Sequence, residues 1–128
     1  MSELSEKTTL AETFRTALQS ADWPLLRSLL TEDCHWTLPG DNRISGQVRG
    51  ADAVIERLRL IAGYGVHFDF QRTLFSRDNL ALSLHNTAER DGRVLDEHLA
   101  TVCLLDGGRI RAIETYLSDV PGMNAFFV

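Results

Sequence analysis

At 128 residues the chain is long enough for one domain with a single sizeable core, and 44% hydrophobic with 24% charged residues is the balance of a globular protein. The formal net charge of −5, with Lys7 the only lysine, provides no basic stripe, so no nucleic acid partner is expected. No apolar run reaches the length of a membrane span, and Cys34 and Cys103 lack any framework spacing, so the expectation is a cytoplasmic, thiol-reduced protein with no membrane partner.

The segment Met1-Ser2-Glu3-Leu4-Ser5-Glu6 is acidic and lacks the apolar stretch of a signal peptide; residues 1–8 read as a frayed tail on a single domain covering 1–128. Thr9 with Glu12 fits a capping box, and Leu10, Phe14, Ala17, Leu18 and Ala21 fall on one stripe of a first helix. Asp22 caps a short second helix that tolerates Pro24 in its first turn and takes its apolar face from Leu25, Leu26, Leu29 and Leu30. A very short strand then carries Trp36 into the Pro39-Gly40 corner, and a glycine-marked loop follows from Ser45 to Gly50. Val54, Ile55, Leu58, Ile61 and Ala62 mark a third helix that Gly63 and Gly65 stop.

From Val66 the hydrophobic period changes to two. Turn signals at Ser76–Asn79, Arg90–Arg93 and Asp106–Gly108 divide the remainder into strands, and Asp91-Gly92 is a strong two-residue hairpin signal. Helices followed by hairpin-linked strands give an α+β class, with helices on one face of an antiparallel sheet. The tail from Met123 to Val128 is rich in Met and Phe, and it is expected to cover an apolar surface or a dimer contact.

The order of these elements, with Gln19-Ser20-Ala21-Asp22-Trp23, Asp33-Cys34-His35-Trp36-Thr37-Leu38-Pro39-Gly40, Gly46 to Gly50 before Ala53-Val54-Ile55, and Gly108-Arg109-Ile110, resembles the nuclear transport factor 2-like superfamily. Within it the chain is similar to the SnoaL-like and ketosteroid-isomerase-like proteins, over essentially its whole length. The resemblance implies a cone-shaped, cystatin-like NTF2-like fold, in which three N-terminal helices pack on a curved antiparallel sheet and enclose a mostly apolar pocket. Members are often dimeric, and the expectation is a homodimer whose protomers each hold a small or medium-sized apolar molecule, cyclic or not. Members include isomerases, cyclases, dehydratases and plain binding modules. Trp36 and Leu38 share a strand face, Phe14 sits where the first helix crosses the cavity, and the resemblance places all three in the pocket lining.

The Asp91-Gly92 turn sets the hairpin register, with Asn86 opposite Glu97 and Leu84 opposite Leu99. One face then carries Leu80, Leu82, Leu84, Asn86 and Ala88 with Leu95, Glu97, Leu99, Thr101 and Cys103, and its apolar character points it inward. Asn86 and Glu97 become a polar pair on an apolar wall, the candidate catalytic residues, because a carboxyl withdrawn from water suits proton transfer. A bulge would reverse the faces and bring in His85, Asp96 and His98 as an alternative acid/base cluster. On the last strand Thr115 is a further candidate ligand contact, while the faces of Glu114 and Tyr116 stay open.

Steroid isomerases of this fold use a strand carboxylate, a helix tyrosine and a protonated acid on a later strand. Those positions fall here on Leu38, on Phe14, and near Thr101 or Ala100, so that mechanism is not expected. Glu97, Glu114 or Asp119 could serve a cyclase-type acid/base role, with Glu97 the first choice. No cofactor is expected and no metal: Cys34 and His35 are adjacent on opposite strand faces, and no ligand pair has a metal-site spacing. The functional expectation is a small-molecule pocket protein, either a cofactor-free isomerase, cyclase or dehydratase or a non-catalytic binding or dimerisation module.

Overall fold

The structure, a computed structural model, describes residues 3–128. Helices α1 (Glu3–Gln19), α2 (Trp23–Ser28) and α3 (Ala51–Gly63) pack with a C-terminal helix α4 (Val120–Phe126) against a six-stranded sheet. The strands are β1 (Leu30–Leu38), β2 (Gly46–Arg49), β3 (His67–Phe75), β4 (Asn79–Arg90), β5 (Arg93–Asp106) and β6 (Arg109–Leu117), in the spatial order β2-β1-β6-β5-β4-β3. All neighbouring pairs are antiparallel except β1 with β6, which run parallel. No helix among the described residues is long and apolar enough to cross a membrane.

Several local expectations are corrected. Residues 3–8 are helical, so α1 begins before Thr9; residues 1–2 of the expected tail lie outside the described residues. The hydroxyls of Thr8, Thr9 and Thr13 donate to the carbonyls of Leu4, Ser5 and Thr9 one turn back, so Thr9 sits inside the helix and caps nothing. The second helix stops at Ser28, and Leu30 opens β1, which is nine residues long rather than very short. Leu25 is exposed, leaving Leu26 as the buried residue of α2. Residues Gly46–Arg49, read as loop, pair with β1 as an edge strand. Asp22 does cap α2, accepting from Leu25 N at 3.2 Å.

At the β4–β5 turn Asp91 and Gly92 both take positive φ (54° and 78°), the conformation a two-residue hairpin requires. The register pairs Arg90 with Arg93, Asn86 with Glu97 and Leu84 with Leu99, without a bulge. Leu80, Leu82, Leu84, Leu95, Glu97, Thr101 and Cys103 are therefore buried on the inner face, while His85, Asp96 and His98 face outward.

The tail forms α4 and covers an apolar surface of its own chain, because Met123, Phe126 and Phe127 are buried against the core. Asn124 Oδ1 accepts from Asp41 N (2.8 Å) and Asn42 Nδ2 (2.7 Å), and Arg43 N donates to Phe127 O (3.2 Å). The Pro39-Gly40 corner thus docks the C-terminal helix. Gly40 has φ +120°, and a Cβ there would stand 2.8 Å from Asn124 Oδ1, so no other residue fits without moving this contact.

Candidate functional site

Between the inner face of the sheet and α1, α3 and α4 lies a cavity of about 650 Å³ counted out to its mouth. Only about 60 Å³ is open to the centre of a water molecule, so the chamber is narrow. Its walls are Phe14 and Leu18 from α1, Leu58 and Ile61 from α3, Trp36 and Leu38 from β1, and Met123 and Phe127 at the C-terminal end, with the inward residues of the sheet as floor. Phe14 reaches it because Leu10, Phe14, Ala17 and Leu18 form the buried stripe of α1. Gln19 Nε2 donates to Phe68 O (3.2 Å) and fixes the end of that helix on β3.

The sheet floor brings Leu84, Asn86, Leu99, Thr101 and Thr115 to this cavity, together with Trp36, Leu38 and Phe14. Glu97 is not in the lining. It is buried to 1% exposure, and its Oε1 accepts from Ser118 N (2.5 Å), Ser118 Oγ (2.8 Å) and Asp119 N (3.0 Å). Those donors hold the corner between β6 and α4, and Oε2 is the oxygen they leave unengaged. Glu114 and Tyr116 point outward, and Asp119 accepts from Gly122 N as the N-cap of α4. Among the described residues, then, no aspartate, glutamate, histidine, lysine or arginine lines the cavity.

Three polar side chains do. Trp36 Nε1 donates to Thr115 Oγ1 (2.9 Å), and Thr115 Oγ1 lies 3.1 Å from Thr101 Oγ1. One hydroxyl hydrogen closes the bond between the threonines, so the other remains to donate to an acceptor in the cavity. On the adjacent strand β4 of the same sheet, Asn86 Oδ1 is buried with no hydrogen-bond partner. A buried acceptor left unmade costs about 1–3 kcal/mol, which a donor on a bound molecule would recover. The lining thus offers donors from the threonine pair and the Asn86 amide nitrogen, and an unpartnered acceptor at Asn86, inside an apolar shell.

The sequence reading passed over Arg57, which is buried behind Trp36. Its guanidinium lies over the indole at 5.1 Å and donates to the carbonyls of Gly46 (3.0 Å), Ser45 (3.1 Å) and Trp36 (3.5 Å). Burial pulls the Arg57 pKa below its ordinary value. The signal was available: Arg57 stands among Val54, Ile55, Leu58 and Ile61 on the buried face of α3. Both cysteines are buried and free, and burial pushes Cys34 up to about 11 and Cys103 up to about 12, so neither thiol is poised as a nucleophile.

The family model for the SnoaL-like domain matches residues 11–113. The chain belongs to the SnoaL-like family. It is similar to the structure of Bal32a from a soil-derived mobile gene cassette, at 28% identity and TM-score 0.88 over 96% of this chain and 99% of that one. A protein with cystatin-like fold from Xanthomonas campestris matches at 24% identity and TM-score 0.84, over 94% and 96% of the two chains. TerC, co-crystallised with polyporic acid, matches at 12% identity and TM-score 0.82, over 95% and 98%, which is a likeness of fold alone. No curated protein matches the sequence.

Proposed function

We propose that this SnoaL-like chain binds a small cyclic, largely apolar molecule that carries a hydrogen-bond donor on one side and an acceptor on the other. The observation that carries the reading is Asn86, which lines the cavity that the threonine pair also serves and whose Oδ1 is buried without a hydrogen-bond partner. A phenol or hydroxyketone fits this polarity. The narrow chamber favours one or two rings over a large polycycle. That TerC was crystallised with polyporic acid is in keeping with such a ligand class in this fold.

The test is a titration with a panel of one- and two-ring phenols and their methyl ethers, followed by Trp36 fluorescence in a Trp23→Phe background. The ethers, which lack the donor, should bind about tenfold or more weakly, one hydrogen bond's worth. In Asn86→Leu that difference should vanish, while thermal stability should stay level or rise because a buried orphan acceptor has gone. Equal binding of phenols and ethers by the unaltered chain would defeat the assignment.

A second reading is favoured by one observation: Glu97 is buried directly opposite Asn86, and Oε2 is not held by the Ser118 and Asp119 donors. In it the ligand is a substrate and Glu97 moves a proton in cofactor-free isomerisation, cyclisation or dehydration, with Asn86 orienting it. Glu97→Gln keeps the Oε1 acceptor and removes the acid, so turnover unchanged in that variant would dispose of this reading.

A homodimer is the assembly that family membership favours. Light scattering at high micromolar concentration should return twice the chain mass, and a monomeric mass would count against the dimer.

A further inference from the structure

The outer face of the β4–β5 hairpin concentrates ligating side chains that the cavity does not use. His85 and His98 are direct partners in the register, and Asp69 on β3 stands opposite His85. The two imidazoles stack with centroids 4.1 Å apart and planes 9° from parallel. His85 Nε2 lies 2.5 Å from Asp96 Oδ1. One ligand atom from each of His85, Asp96 and His98 falls within 4.8 Å of the other two. His67, one step along β3 on the same side, pairs with Thr87, which pairs with Asp96. Three of the chain's four histidines, at 67, 85 and 98, therefore share this face.

We propose that His85, Asp96 and His98 bind a divalent transition-metal ion, zinc in the first instance, on the solvent side of the sheet. Two imidazoles and one carboxylate form a donor set that suits zinc, copper and nickel better than calcium or magnesium. A proton between His85 and Asp96 satisfies two of these groups, whereas a divalent ion engages all three. Zinc holds its donors at about 2.0–2.2 Å, so the three atoms must draw together to roughly 3–3.5 Å apart. That adjustment falls on side-chain torsions. The backbone positions are already fixed by directly paired strands, and Asp96, with 69% of its side chain exposed, has room to turn. Three protein ligands leave a coordination position open toward solvent. The set was invisible to spacing rules because its members lie on two strands and meet only through the hairpin register.

The test uses tag-free protein stripped with a chelator and titrated with zinc chloride by calorimetry. One zinc per chain is expected, with His85→Ala and His98→Ala each weakening binding at least tenfold and the double variant abolishing it. In parallel, zinc should shift the Cε1–H proton resonances of His85 and His98 in the unaltered protein and leave that of His35 in place. Zinc binding no stronger than in the double variant, or zinc shifts centred on His35, would overturn the proposal. This site lies across the sheet from the cavity and is independent of what the cavity binds.

Discussion

Glu97→Ala is expected to lower stability by about 3 kcal/mol and to loosen the C-terminal helix first. The buried carboxylate accepts from two backbone amides and one hydroxyl at the β6–α4 corner, and charge-assisted bonds of this kind contribute about 1.5–3 kcal/mol each. The loss is less than their sum because Ser118 N also donates to His98 O (3.0 Å) and keeps a partner. Asp119 N would be stranded, and a side-chain-sized void would open beside the cavity. Glu97→Gln retains the acceptor and should cost about 1 kcal/mol or less. Urea unfolding gives the two differences, and amide exchange at Asp119 should accelerate selectively in the alanine variant. Equal destabilisation by both substitutions would mean that charge, rather than the acceptor geometry, secures the corner.

Phe127→Ala should have the largest effect of any single truncation discussed, about 4 kcal/mol. Phe127 is 1% exposed, and its ring meets Tyr64 edge-on at 4.9 Å and Phe126 at 5.0 Å. Tyr64 in turn donates to Val128 O (2.9 Å) and accepts from Arg43 Nη1 (3.0 Å), so one aromatic knot ties the chain end to α3 and to the loop after β1. The same ring forms part of the cavity wall. The variant should therefore lose both stability and ligand affinity, whereas Asn86→Leu loses affinity alone. A urea midpoint within experimental error of the unaltered protein would show that the tail is not integral to the fold.

The β4–β5 hairpin was legible because its information is local. A turn that demands positive φ at Asp91 and Gly92 fixes the register, and strict alternation then assigns every side chain to a face. The parallel pairing of β1 with β6 has no such marker, since its partners, Trp36 and Ile113 for example, are joined by no turn. Strand β2 was missed because Gly46–Arg49 is short, polar and exposed, and it owes its conformation to β1 rather than to its own residues. Glu97 shows the same limit in the candidate site. Alternation could place it inward, but its donors at Ser118 and Asp119 belong to a corner that only the assembled sheet creates. Asn86 and Thr101 were legible as inward polar residues; the face of Thr115 was not, nor that it bonds Thr101 while Asn86 Oδ1 is left without a partner.

Whether Asn86 anchors a small cyclic ligand in the cavity is read from the side-chain amide resonances of Asn86 during titration with the best-binding phenol of the panel. Those resonances should shift and saturate with the same Kd as the Trp36 fluorescence change, and they should respond far less to the matching methyl ether. An Asn86 amide that stays unmoved while Trp36 reports binding would mean that Asn86 does not hold the ligand.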